Sequence, residues 1–107
     1  MLSVKPLCAA SDLAEGHAKG FADRGVFALR FKGGVHVYVD ACPHFGNTPL
    51  AWRTNAYLNA DGTRIVCAAH GAQFEPDTGL CVLGPCLGQS LQSVPFALTA
   101  DGCLVMS

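Results

Sequence analysis

The chain has 107 residues, half of them apolar and 14% charged, with a formal net charge of −1. This size points to one domain over residues 1–107, and the apolar content excludes a disordered chain. The near-neutral charge leaves no electrostatic footprint for nucleic acid, no basic run marks a membrane surface, and no apolar run is long enough to cross a bilayer. Residues 1–10 carry one lysine and no long apolar stretch, so they do not read as a signal peptide, and a soluble, cytoplasmic protein is the expectation. In that setting six cysteines suggest metal binding or buried thiols rather than a disulfide scaffold.

In chain order, Ser11-Asp12-Leu13-Ala14-Glu15-Gly16 predicts a single helical turn, capped by the serine and ended by the glycine. Phe27, Leu29 and Phe31 alternate with Ala28 and Arg30. Val35, Val37 and Val39 then alternate with His36, Tyr38 and Asp40, and a Gly33-Gly34 turn between the two runs makes a hairpin. Residues 63–67 read as a short strand. Residues 72–75 and 80–83 flank Pro76-Asp77-Thr78-Gly79, where proline sets φ and glycine accepts a positive φ. Val94, Phe96 and Leu98 alternate ahead of Asp101-Gly102, and residues 103–106 close a last hairpin. Many short strands predict an all-β antiparallel sandwich or small barrel. The Gly-, Pro-, Asn- and Asp-rich segment of about 42–85 reads as a subdomain inserted into a framework made by the two ends.

That segment holds the chemistry. Cys42-Pro43-His44 is C-x-H. After a gap of 22 residues comes Cys67-Ala68-Ala69-His70, which is C-x-x-H. Thiolates and imidazoles paired in two short loops have metal-ligand spacing, and two cysteines with two histidines also satisfy tetrahedral zinc. Gly46 and Gly71 follow the two pairs and permit close approach and unusual φ.

The residues after His70 carry further motifs. His70-Gly71-Ala72-Gln73-Phe74 is H-G-x-x-F, Gly79 ends a turn, and Gly84-Pro85 and then Leu91-Gln92-Ser93-Val94-Pro95 follow. From about residue 35 onward the chain resembles Rieske [2Fe–2S] domains. The resemblance implies a Rieske-like β sandwich with an inserted cluster-binding subdomain. It also implies a cluster with Cys42 and Cys67 on one iron and His44 and His70 on the other. Two ferric ions, two sulfides and two thiolates sum to zero charge, so an electron is accepted more easily than by an all-cysteine cluster. Gly46, Gly71, Gly84 and Pro85 would surround the cluster.

The expected function is that of a stand-alone ferredoxin, a one-electron carrier and not an enzyme by itself. It would take electrons from a flavin-dependent reductase and deliver them to a terminal oxygenase or similar enzyme. Two alternatives are the small Rieske-type subunit of an NAD(P)H-dependent nitrite reductase and a zinc-stabilised binding module. Departures from the high-potential members narrow the reading. Asn47 and Ala69 replace a bracing disulfide, and Ala72 and Phe74 replace a serine and a tyrosine that donate hydrogen bonds near the cluster. The gap from His44 to Cys67 also exceeds that of small ferredoxins, and reads as a longer hairpin with Trp52 packed against the subdomain. Cys81 and Cys86 flank Val82-Leu83-Gly84-Pro85 near the cluster, and a disulfide between them is not expected. Fewer donors stabilise the reduced, more negative state less. A redox titration is therefore expected to give a midpoint near the lower end of the Rieske range of roughly −150 to +300 mV, and a midpoint above zero contradicts this.

Overall fold

The computed structural model describes residues 6–21, 24–40, 57–59, 62–67, 71–84, 87–100 and 102–106. Among these the regular structure is antiparallel strand, with one short 3-10 turn, Ala10–Asp12. Ser11 lies inside that turn instead of capping it, and the N-cap is Ala9, which has no side-chain acceptor. The turn is held from outside, by Arg30, whose guanidinium donates to the carbonyls of Ala10 (2.9 Å) and Leu13 (2.7 Å).

Three three-stranded sheets form among the described residues. The terminal sheet pairs β1 (Cys8–Ala9) with β9 (Cys103–Met106), and β9 with β8 (Phe96–Leu98). The middle sheet runs β2 (Ala18–Phe21), β3 (Val26–Phe31), β4 (Gly34–Val39). The third runs β5 (Ile65–Val66), β6 (Gln73–Phe74), β7 (Cys81–Leu83), and lies in the chain between β4 and β8. The fold is the expected all-β, Rieske-like architecture. No helix among the described residues is long and apolar enough to cross a membrane.

The β3–β4 hairpin forms where alternation predicts it, but its turn is Lys32-Gly33, one residue earlier than expected, with Gly34 already paired to Phe31. Lys32 and Gly33 have φ of +52° and +79°, the left-handed pair of a two-residue hairpin loop. A lysine there is strained. The Glu15 carboxylate offsets this by accepting the N–H of Lys32 (2.6 Å) and of Gly33 (2.7 Å).

The alternation of β3 suggests one buried face; the structure buries both. Val26 and Ala28 join Leu13, Val37 and Leu104 in a core against the terminal sheet. Phe27 and Leu29 join Tyr38, Ile65 and Phe74 in a core against the third sheet. The middle sheet is therefore an inner layer, which is why small Ala28 is as fully buried as Phe27. β1 and β2 escape sequence reading. β1 is two residues long, and β2 (Ala-Lys-Gly-Phe) is made of small or mixed residues that show no period of two. Cys8 and Cys103, expected to be buried thiols, are half-buried, and burial still pushes the Cys8 thiol up.

Tyr38 and Tyr57, the only tyrosines in the chain, join the middle sheet to the third. The Tyr38 hydroxyl donates to the carbonyl of Pro76 at 2.8 Å inside the core. Burial, reinforced by the charge of Asp77, pushes Tyr38 up to about 12. Burial, then the hydrogen bond to Asp40 and the charge of Asp40, raise Tyr57 as well. Both neutral phenols favour the folded chain. Their contribution is complete below pH ~10, where unfolded tyrosine ionises, and is lost as pH rises through the folded values. Tyrosine Cζ NMR is expected to show no tyrosinate at about pH 10.5 in the folded protein and a large fraction in denaturant.

Candidate metal centre

Cys67 sits at the end of β5, on the turn into β6. Its N–H donates to the carbonyl of Ala72, and the Gly71 N–H donates to the carbonyl of Cys67, both at 2.8 Å. These bonds extend the β5–β6 ladder by one pair, beyond Val66 and Gln73. The sulfur of Cys67 is fully buried and in no disulfide. Gly71 has φ of +70°, and its Cβ position is open, so glycine serves conformation there and not close protein approach. Two backbone hydrogen bonds thus fix where a Cys67 thiolate would point, which suits a metal ligand more than a core thiol.

The loop after β7 packs directly on this turn. Gly84 has φ of +104°, and a Cβ there would lie 2.7 Å from the Cα of Ala72 and 3.2 Å from its Cβ. Ala72 closes the Cys67 turn and is itself completely buried. A side chain at Gly84, or one larger than a methyl at Ala72, would separate the two loops. The Gly84 loop is held shut by the N–H of Leu87 donating to Gly84 (3.3 Å) and the N–H of Cys81 donating to Gln89 (2.8 Å). Leu83 and Leu87, on its two sides, are exposed. The thiol of Cys81 is free and buried, and donates weakly to the carbonyl of Leu83 at 3.3 Å.

The first pair is approached along β4. The N–H of Val39 donates to Gln92 at 2.9 Å and that of Asp40 to Gly25 at 2.8 Å, so the chain is anchored on both sides two residues before Cys42. Cys42, His44, Gly46, His70, Pro85, Cys86, Asn47, Trp52 and Ala69 lie outside the described residues. The structure therefore brings together Cys67, Gly71 and Gly84 from the expected set. Among the described residues no three His, Cys, Asp or Glu side chains converge on one point.

Comparison with known proteins decides what the turn belongs to. The family model of the Rieske [2Fe–2S] domain matches residues 3–95. The chain belongs to the Rieske [2Fe–2S] domain family. Solved structures agree in fold. A ferredoxin of Sphingomonas yanoikuyae B1 superposes with a TM-score of 0.72 at 24% identity, covering 98% of each chain. The ferredoxin of carbazole 1,9a-dioxygenase from Nocardioides aromaticivorans IC177 gives 0.71 at 18% identity, covering 99% of this chain and 98% of its own. A chain from the complex of reduced oxygenase and oxidized ferredoxin in carbazole 1,9a-dioxygenase gives 0.69 at 25% identity, covering 95% and 91%. Among curated proteins none matches the chain in sequence. The cofactor of this Rieske chain is a Rieske-type [2Fe–2S] cluster.

Sequence reading treated Ala72 and Phe74 as missing hydrogen-bond donors, and both are fully buried among apolar groups. It overlooked that Ala72 is the seat of the Gly84 loop, since only the tertiary contact reveals why a small residue is needed there. Replacing Gly84 with alanine combines a backbone collision with left-handed strain and is expected to cost about 3 kcal/mol. Gly88→Ala, with φ of +88° but open space, is expected to cost only about 1 kcal/mol. Chemical denaturation of the two loaded variants measures the difference.

Proposed function

We propose that the chain is a one-electron carrier of the ferredoxin kind. It takes electrons from a flavin-dependent reductase and hands them to a terminal oxygenase or similar enzyme in the cytoplasm. The observation that carries the reading is the Cys67 turn seated under the Gly84 loop, in a chain whose family is the Rieske domain over residues 3–95. The chain matches small ferredoxins over almost their whole length, which supports a stand-alone carrier over a catalytic chain. An oxygenase partner is supported by the neighbour solved with its oxygenase.

In this reading residues 1–107 form one domain with the cluster-binding subdomain at about 42–85. Cys42 and Cys67 hold one iron, and His44 and His70 hold the other. When bound, the cluster supplies reversible one-electron chemistry. The chain's part is to fix and shield it. The 67–72 hydrogen bonds orient the Cys67 sulfur, buried Ala72 and Phe74 offer no side-chain donor, and the Gly84 loop closes over the turn. The lack of a side-chain donor at Ala72 and Phe74 favours the low-potential end of the Rieske range.

Metal and sulfide analysis of the purified chain tests the cofactor: two irons and two sulfides per chain are expected, and one zinc without sulfide overturns the reading. His70→Cys, if loaded, is expected to lower the midpoint because a thiolate adds negative charge. An unchanged midpoint contradicts His70 as a ligand.

A further inference from the structure

We infer that Tyr57 is a positioning residue for the metal centre, a strut that fixes the two ligand loops relative to each other. The inference rests on the reading above that the loops at Cys42 and Cys67 hold one group. Tyr57 lies in the long stretch between the ligand pairs, where sequence alone shows no role. Its hydroxyl donates to Oδ2 of Asp40 at 2.8 Å. Asp40 stands two residues before Cys42, at most about 7 Å along the chain. The Tyr57 carbonyl accepts the N–H of Val66 at 2.8 Å, and Val66 directly precedes Cys67. One residue is thereby bonded to both strands that lead into the ligand loops.

The rest of the structure holds the strut rigid. The Tyr57 ring stacks on Phe27 of the middle sheet, with centroids 4.2 Å apart and planes 6° from parallel. Only 5% of the residue is exposed. Below it the hairpin is locked by Leu58 bridging to Ile65 and by the Asn59 side chain, whose Oδ1 accepts the N–H of Thr63 (2.9 Å) and of Arg64 (3.2 Å). Gly20 of β2 makes the room: a Cβ there would collide with the Tyr57 hydroxyl and come within 3.0 Å of the ring. Gly20 does not lie in a left-handed conformation, so close approach and not backbone strain calls for glycine there. A hydrogen bond to a carboxylate from a stacked, buried ring keeps one geometry, and groups that orient metal ligands at one remove commonly govern retention of the metal.

The test compares Tyr57→Phe with Tyr38→Phe. Each removes a 2.8 Å hydroxyl hydrogen bond and keeps a ring against Phe27, but Tyr38 bonds Pro76, past β6, and makes no bond to Asp40 or to the strand that precedes Cys67 in the hydrogen bonds described. Cluster release into a chelator is followed by the loss of visible absorbance, and the reduced protein by its EPR g-values. Tyr57→Phe is expected to release iron on the order of tenfold faster than wild type and to shift the g-values. Tyr38→Phe is expected to do neither. Gly20→Ala, which displaces the hydroxyl without removing it, and Asp40→Ala are expected to follow Tyr57→Phe, while Asp40→Asn, which keeps an acceptor, recovers most of the retention. Equal release by the two tyrosine variants, with unchanged g-values, overturns the strut. Iron and sulfide content of the wild type, measured first, reports separately on the Rieske reading. If the chain holds zinc instead, the same variants read zinc release, and equal rates again overturn the strut.

Discussion

The contact on which the rest depends is the packing of Phe27. It projects from the middle strand of the middle sheet, is fully buried, and meets both tyrosines of the chain. Tyr38 comes from the neighbouring strand and Tyr57 from the hairpin that leads to Cys67. Without that ring the third sheet, three short strands of two or three residues, would lose much of the apolar surface it rests on. Strands this short do not persist alone. They are held because Ile65, Phe74 and Cys81 share a core with Phe27 and Leu29.

The same contact explains the polar groups inside. A buried phenol needs an acceptor, and each tyrosine finds one across a layer boundary: Tyr38 at the Pro76 carbonyl, Tyr57 at Asp40. Among the described residues no buried side-chain nitrogen or oxygen lacks a partner. These bonds are directional, whereas the apolar packing around them is not. Packing keeps the third sheet against its neighbour, and the hydroxyls set the register at which it sits.

Close backbone approach sets the surroundings of the Cys67 turn in the same way. Gly84 lies against Ala72 and Gly20 lies under Tyr57, and in both places a methyl group would occupy space the fold already uses. The two glycines had unequal visibility. Gly84-Pro85 was legible because it belongs to a motif shared by a family. Gly20 sits in a strand with no period of two, and its partner Tyr57 is 37 positions away in the chain.

The amino-acid order by itself determined the local structure wherever neighbours decide it. The β3–β4 hairpin, the Pro76–Gly79 turn, the strand patterns of 80–83 and 103–106, and the two ligand pairs are all short-range patterns. They were enough to indicate the fold class and the family. The turn at Lys32-Gly33 was missed by one residue because the carboxylate that stabilises it comes from Glu15, 17 positions away. Only the tertiary structure decided that the middle sheet is buried on both faces, that Ala72 must be small, and that Tyr57 ties Asp40 to the strand of Cys67. Each of these is a contact between segments distant in the chain, and such contacts leave no periodicity for a sequence to show.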